Sequence, residues 1–541
     1  MEVFMIGGCQ TSSTGLESAA RDRNLVGLCP SQGKVGSRAI RIGFGGAAPS
    51  ARRGRNAAIR AVRSVSAAAV EERSGKRGPS AGKSVSDMKD RLRLFVGLPL
   101  DAVSDGNTVN HTKAIAAGLK ALKLLGADGV EFPIWWGVVE KEAMGQYDWS
   151  GYTKLAEMVR EAGLDLRVSL CFHANGRNPA ILLPQWVSHI GESEPDIYYT
   201  DQARKRYKDC LSLAVDDLPV LNGKTPMQVY GEFLQSFKDS FSGFFDSTIT
   251  DIMVGLGPDG ELRYPSTQAK TRRVGVGEFQ CYDKHMLEHL KQHAHATGNP
   301  MWGLSGPHDV PQYDQGPDAN TFFKEVGGSW ETPYGNFFLS WYSNQLLSHG
   351  DRLLAVASDI FADSAVNISA KLPLMHSYYK NRSHPSELTT GFHNTVNQDG
   401  YDAFAEMFAR NSCRMVLPGV NLSDEQNRGL KSSPESLFLQ IMEACKKHGV
   451  DLIGENSLGG GADRNGFDRI RENLQGLDTI VYQRMGAYFF SPEHWPMFTA
   501  FIRSLDRDEE RHADDFPSEG AGVITSSAIS VGERESKMQV A

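Results

Sequence analysis

Short apolar runs alternate along this chain with longer stretches whose apolar residues recur every three or four positions. The first apolar run covers residues 94–98, and Ile115, Leu119 and Leu122 then follow at helical spacing. Gly126 comes directly after this stretch, where a glycine commonly ends a helix. The pattern predicts a buried strand followed by an amphipathic helix.

The same alternation continues to about residue 503 and predicts a parallel βα architecture. Asn110 is predicted to cap the first helix, and Ser433, followed by Pro434, to start a helix that ends at Gly449. Eight strands separated by helices predict one closed (β/α)8 TIM-type barrel. The predicted strands are residues 94–98, 129–136, 166–172, 251–256, 366–372, 413–417, 450–454 and 479–483.

Two connections are too long for simple loops between a strand and a helix. Residues 178–250 and 257–365 separate neighbouring predicted strands. Loops of this length are uncommon and usually functional. We therefore expect a barrel domain over residues 89–504 with a long inserted loop domain on the carboxyl-end face.

The two ends of the chain differ in composition from the barrel region. Up to Val70 the chain is rich in Arg, Ser, Ala and Gly, and its only acidic residues are Glu2, Glu17 and Asp22. This composition predicts a plastid transit peptide and linker over residues 1–88, and localisation in the chloroplast stroma. The alternative is an N-terminal tail without a targeting function. Residues 505–541 are acidic and Ser-rich, which predicts a disordered tail.

Composition and charge exclude several classes of protein. The 541-residue chain has a net charge of −8, with 40% apolar and 23% charged residues. This balance is typical of a globular protein and gives no reason to expect a nucleic-acid partner. No apolar run approaches the roughly 20 residues that cross a bilayer, so no membrane partner is expected. The seven cysteines are scattered and form no zinc motif.

Glu261 lies in a Gly- and Pro-rich segment, residues 255–265, directly after the predicted strand 251–256. The spacing of Gly255, Gly257 and Gly260 matches a dinucleotide-binding fingerprint, but that motif must open a helix. Pro258 argues against a helix start here. A carboxylate just beyond the carboxyl end of a barrel strand instead predicts an active-site residue.

A second carboxylate, Glu455, follows the predicted strand 450–454. Two carboxylates at the ends of different barrel strands face the same mouth, which is the equipment of a glycoside hydrolase. One must stay protonated to act as the acid, and the other must be ionised. The residues alone leave inversion and retention of the anomeric carbon both open.

Four further polar residues fall at the ends of predicted strands: His173 follows the third, Lys371 and His376 flank the end of the fifth, and Arg484 follows the eighth. Each of them alone could be a surface or structural group. Together they fall on the face of a barrel that carries the active site, so they are candidates for substrate binding.

Residues 92–503 resemble the plant β-amylases, which release maltose from the non-reducing ends of α-1,4-glucans with inversion. The matching stretches include Trp135-Trp136-Gly137, residues 255–265, residues 277–284 and residues 338–344. The resemblance implies a (β/α)8 barrel, an α-1,4-glucan such as starch or a maltooligosaccharide as substrate, and no metal or organic cofactor. It also implies Glu261 as general acid, Glu455 as general base, and His173, Lys371, His376, Asn456 and Arg484 as glucan-binding residues.

Four positions depart from the pattern of that family. Pro133 stands where the family has an aspartate that grips the terminal glucose, and residues 174–183 are shorter than the family's Gly-rich lid and lack its acid. Residues 416–421 lack the inner-loop threonine, and Ser377-Tyr378 replaces a frequent pair of tryptophans. These departures resemble a plastid branch described as inactive β-amylases, although Glu455 is kept.

The resemblance and its departures lead to two functional hypotheses. The first is weak β-amylase activity in plastid starch metabolism, carried by Glu261 and Glu455. The alternative is a catalytically silent glucan-binding or regulatory protein of starch breakdown, with a protein partner among the starch-degrading enzymes.

Overall fold

The computed structural model describes residues 92–176, 179–267, 274–457 and 463–505. The predicted transit peptide and linker, residues 1–88, lie outside these ranges, as do residues 506–541 of the predicted tail.

Ten strands account for the sheet structure of the described residues. Eight of them are parallel and close into a barrel in the spatial order β1-β10-β9-β8-β7-β6-β3-β2, and β4 and β5 form a separate antiparallel pair. The strands are β1 Arg93–Gly97, β2 Gly129–Trp135, β3 Asp165–Cys171, β4 Tyr198–Thr200, β5 Arg206–Leu211, β6 Ile249–Val254, β7 Asn367–Lys371, β8 Arg414–Pro418, β9 Leu452–Glu455 and β10 Leu477–Tyr482.

The eight predicted strands are confirmed as the eight barrel strands, with ends that differ by no more than two residues. The barrel closes where β1 pairs in parallel with β10, and Leu94 lies opposite Ile480 there. The predicted (β/α)8 fold is therefore correct.

Twelve α-helices lie in the described part of the chain. They are α1 Thr112–Leu125, α2 Trp136–Val139, α3 Ser150–Glu161, α4 Gln185–Ser193, α5 Pro226–Phe241, α6 Lys284–Ala296, α7 Pro333–Ile360, α8 Pro385–Thr390, α9 Asp402–Arg410, α10 Pro434–His448, α11 Arg464–Glu472 and α12 Trp495–Leu505. None of them is both long and apolar enough to cross a membrane.

The predicted helix ends are correct, and of the two predicted capping residues Ser433 lies at the capping position whereas Asn110 does not. Gly126 ends α1 with a φ of 97°, a left-handed conformation that glycine adopts without strain. Asn110 does not cap α1: the capping position is His111, and the Asn110 amide instead donates to the carbonyl of Asp101. Ser433 does precede α10, but its hydroxyl donates to Asp424 rather than accepting from the helix backbone.

The interior of the barrel is filled in layers, as expected for this fold. A buried apolar layer consists of Phe95, Met253, Val416, Ile453 and Val481. Two residues nearer the amino ends of the strands, a charged layer takes its place. We call this the lower charged layer, and it consists of Arg93, Arg167, Asp251 and Arg414.

The loops that follow β3 and β6 carry the extra structure at the carboxyl-end face. They pack on each other: the rings of Tyr199 and Tyr264 lie 5.7 Å apart, and the Tyr282 amide donates to the Thr200 carbonyl. The predicted inserted stretches, residues 178–250 and 257–365, also contain α5 and α7, which precede β6 and β7.

Candidate active site

Glu261 lies beside the carboxyl end of β7. Its segment forms a parallel bridge with Lys371, and the Leu262 amide donates to the Lys371 carbonyl at 2.8 Å. A fifth of the Glu261 side chain is exposed, and the Arg263 guanidinium donates to its Oε2 at 2.6 Å. Arg263 also pairs with Asp259, at the start of the same segment.

The surroundings of Glu261 favour its protonated form. Burial raises the pKa of this carboxyl, and the opposing charges of Arg263 and Lys371 do not cancel the effect. A carboxyl that keeps its proton to higher pH than usual is suited to act as a general acid.

Glu455 is the last residue of β9, and only 2% of it is exposed. The Lys371 ammonium donates to its Oε1 at 2.6 Å. Burial disfavours the charged form of Lys371, but Glu455, Glu131 and Glu261 outweigh it and raise the lysine pKa. Lys371 thus pairs with one of the two predicted catalytic carboxylates and lies next to the other, so the structure brings both to one mouth.

His173 follows β3 and lies in the same group of residues. Burial lowers its pKa to about 4, with Lys371 and Arg263 adding to the effect and Asp259 opposing it. The ring is therefore neutral near pH 7. Its buried Nδ1 has no hydrogen-bond partner among the described residues, which leaves that atom for a ligand or a water molecule.

The other three predicted binding residues are held differently. The Asn456 amide exchanges two hydrogen bonds with the Gln483 backbone, so it joins β9 to the end of β10. Arg484 donates to the Leu98 carbonyl, and burial lowers its pKa, opposed by Glu455 and Glu131. His376 is hydrogen-bonded to Ser432 at 2.6 Å, and its contacts do not connect it directly to the carboxylate pair.

Three buried polar residues under the mouth were missed by the sequence reasoning. Glu131 accepts from Arg167 at 2.6 Å and from the Gln483 amide at 3.0 Å. The same Gln483 amide reaches Glu455 Oε2 at 3.4 Å. The available signal for Glu131 and Arg167 was a charged residue inside an otherwise apolar strand. Side chains alternate between the two faces of a strand, so such a residue can be assigned to the inward face.

Pro133 confirms the local gap expected from the sequence. It is buried in β2 opposite Ser169 of β3, two residues beyond Glu131 and on the same face of the strand. No carboxylate therefore stands at this level of β2, and the proline ring offers no hydrogen bond.

A cleft of about 620 Å³ opens next to the mouth, between the β4–β5 pair and the loops after β3 and β6. Asp259 and Arg263 line it, but Glu261 and Glu455 do not. Polar groups of its wall bond each other, since the Tyr313 hydroxyl donates to Asp201. Among the described residues, the cleft is lined by Ala174, Asn175, Gly176, Asp201, Lys205, Arg206, Tyr207, Asp209, Asp259, Arg263, Pro265, Thr267, Val274, Gly275, Gln280 and Tyr313.

A (β/α)8 barrel with two carboxylates, a lysine and a neutral histidine at its carboxyl-end mouth has the architecture of a glycoside hydrolase. The sequence profile of glycosyl hydrolase family 14 matches residues 95–510. The chain belongs to this family.

Known members of the family are similar over most of their length. The chain is 56% identical to "Inactive beta-amylase 9" of Arabidopsis thaliana over 457 residues, 84% of each chain. It is 40% identical to "Beta-amylase 2, chloroplastic" of Oryza sativa subsp. japonica, over 81% of this chain and 82% of the relative. The crystal structure of the catalytic domain of a β-amylase from Paenibacillus polymyxa matches with a TM-score of 0.64 and 26% identity, over 77% of this chain and 98% of that one.

Proposed function

We propose that this protein binds the non-reducing ends of α-1,4-glucans at the mouth of the barrel and releases maltose slowly, with inversion. The observation that supports this most is the position of Lys371, which pairs with Glu455 at 2.6 Å and adjoins Glu261 through the backbone. An acid and a base held near one cation are the minimum that the reaction needs.

In the proposed reaction, Glu261 donates its proton to the glycosidic oxygen as the bond to the anomeric carbon breaks. Glu455, which accepts a hydrogen bond from the Lys371 ammonium, takes a proton from the water that attacks the opposite face of the sugar. The products are β-maltose and a glucan shortened by two glucose units. The neutral His173 and the cationic Lys371 and Arg484 supply donors for sugar hydroxyl oxygens.

The slow rate follows from the groups that are missing. A hydrogen bond from a charged group contributes roughly 1.5–3 kcal/mol. Two absent carboxylates, at Pro133 and in residues 174–183, therefore lower transition-state binding by several kcal/mol, and each 1.36 kcal/mol is about tenfold in rate. In addition, neither Glu261 nor Glu455 lines the cleft.

The second candidate function is a catalytically silent glucan-binding or regulatory protein that acts through a protein partner among the starch-degrading enzymes. Pro133 favours this alternative. The 56% identity to a relative named an inactive β-amylase favours it as well.

One assay separates the two candidates: maltose release from soluble starch by the full chain and by Glu261→Gln. If the chain is a slow enzyme, the variant loses about 10²–10⁴-fold in rate, the usual contribution of a general acid. Equal rates support the silent protein instead. Calorimetric titration with maltotriose accompanies the assay, and a lack of binding by both proteins contradicts the slow enzyme and the glucan-binding form of the alternative.

We also propose that the protein resides in the chloroplast stroma. The composition of residues 1–88 supports this, as do relatives named chloroplastic. A fluorescent protein fused behind residues 1–88 is expected to enter the stroma, and a cytosolic signal contradicts the proposal.

A further inference from the structure

Both oxygens of Glu455 are engaged by the protein. The Lys371 ammonium donates to Oε1 at 2.6 Å, and the Gln483 amide donates to Oε2 at 3.4 Å. The carboxylate is 2% exposed. A general base must present an oxygen to the attacking water, and here each oxygen faces a protein donor instead.

Gln483 is itself held by a charged network deeper in the barrel. Its Nε2 donates to Glu131 Oε1 at 3.0 Å, a shorter hydrogen bond than the one to Glu455. The other oxygen of Glu131 accepts from Arg167, which also donates to the Ser369 hydroxyl at 2.8 Å. The glutamine amide therefore bridges two buried carboxylates, and the network below fixes its position.

The space around Gln483 is shaped to hold this side chain. A Cβ atom at Gly97 would lie 2.2 Å from Gln483 Oε1, so a larger residue there would displace the amide from this position. Asn456 also bonds both the amide and the carbonyl of the Gln483 backbone, at 2.6 and 2.8 Å. Backbone and side chain are thus both restrained, which distinguishes this arrangement from an incidental contact.

We propose that Gln483 is a positioning residue that keeps the carboxylate of Glu455 turned into the barrel and thereby suppresses its action on water. The inference rests on the proposed function, in which Glu455 is the base. It identifies a second cause of slow hydrolysis, separate from the missing glucan contacts at Pro133. The two causes differ in kind, since Pro133 weakens binding of the sugar whereas Gln483 restrains the base.

The test compares the full-length wild type with Gln483→Leu, which removes the amide donor and keeps a side chain of similar size. Gln483→Met serves the same purpose if the leucine variant does not fold. In crystal structures, Glu455 is expected to leave its wild-type orientation once the donor is gone. The kcat for maltose release is expected to rise about tenfold, with little change in KM, because base action and not sugar binding is altered.

Gln440→Leu is the matched control. Gln440 is a partly buried glutamine of α10. Its amide donates hydrogen bonds to Asn394 and Asp399, neither of which bonds Glu455. Its replacement removes the same kind of amide and is expected to leave kcat and the Glu455 orientation unchanged.

Each outcome decides the inference. An unchanged Glu455 orientation in Gln483→Leu overturns it, whatever the activity. A reoriented carboxylate with no rise in kcat overturns it too, provided that maltotriose still binds. If neither protein binds maltotriose, the proposed function fails, and the crystal structures alone then decide whether Gln483 restrains Glu455.

Discussion

The lower charged layer and the mouth of the barrel are both buried and charged, but they use their charges differently. In the lower layer, Asp251 is fully buried and faces Arg414 at 3.0 Å, Arg93 at 3.2 Å and Arg167 at 3.8 Å. Burial alone would raise the pKa of Asp251, but Arg167 and Arg93 outweigh it and lower the pKa. All three arginines of this layer pair with that one carboxylate, although Nη1 of Arg167 and Nε of Arg414 have no hydrogen-bond partner among the described residues.

The mouth of the barrel retains polar groups that can bind a ligand. Burial raises the pKa of Glu261 despite two nearby cations, and the buried Nδ1 of His173 lacks a partner among the described residues. Buried charge by itself therefore does not mark a functional site in this barrel. The mouth is distinguished by a carboxyl whose pKa stays raised beside two cations and by a neighbouring histidine whose pKa is lowered.

The largest expected effect is on stability, from Asp251→Ala. This change leaves three arginines without their shared carboxylate and is expected to cost about 3–5 kcal/mol in the free energy of unfolding, measured with urea. The control is Asp478→Ala, which removes a half-exposed partner of Arg414 and should cost at most about 1 kcal/mol. Similar costs for the two variants would show that the lower layer is not a structural unit.

Lys371→Met tests the mouth in the same way. Loss of the ammonium is expected to weaken maltotriose binding by about 1.5–3 kcal/mol, or roughly 10–100-fold, in calorimetric titration. The loss in stability should be smaller than for Asp251→Ala, because Glu455 can become neutral by binding a proton. Unchanged affinity together with a large loss of stability would make the mouth a second structural layer.

The smallest effect concerns Glu278, which accepts a hydrogen bond at 3.1 Å from the backbone amide of Tyr313, a residue that lines the cleft. Burial, with a further contribution from Asp201, raises its pKa to about 7. The stability that the protonated group contributes is therefore complete below the pKa of an ordinary carboxyl and is lost as pH rises through about 7. Between pH 6 and 8, the Tm of the wild type should fall by about 2 °C more than that of Glu278→Gln. Parallel Tm curves for the two proteins would show that the pKa of Glu278 is not raised by folding.

The strands could be predicted closely because each is a continuous apolar run between turn-forming residues. The carboxyl ends of parallel barrel strands lie on one face, and this rule also predicted that Glu261 and Glu455 are close together. The neighbours of these residues could not be predicted in the same way. Gln483 and Glu131 are 352 positions apart, and their contact depends on the register with which β1 meets β10.

The cleft shows a second limit of sequence reasoning. Its polar wall combines Asp201, Gln280 and Tyr313, which come from separate irregular loops with no shared periodicity. The helix starts show a related limit: Asn110 lies one residue before the capping position, and the Ser433 hydroxyl, at the capping position, bonds Asp424 instead of the helix backbone.

The backbone bond from Leu262 to Lys371 has a consequence for how this barrel can change over time. Because the segment that bears Glu261 continues the sheet alongside β7, the acid and the lysine are placed by main-chain pairing, which is indifferent to side-chain identity. Substitutions that abolish turnover can therefore accumulate elsewhere without disturbing this pair. Because this pairing would tolerate other side chains, preservation of both Glu261 and Lys371 in a descendant would point to selection on the side chains themselves.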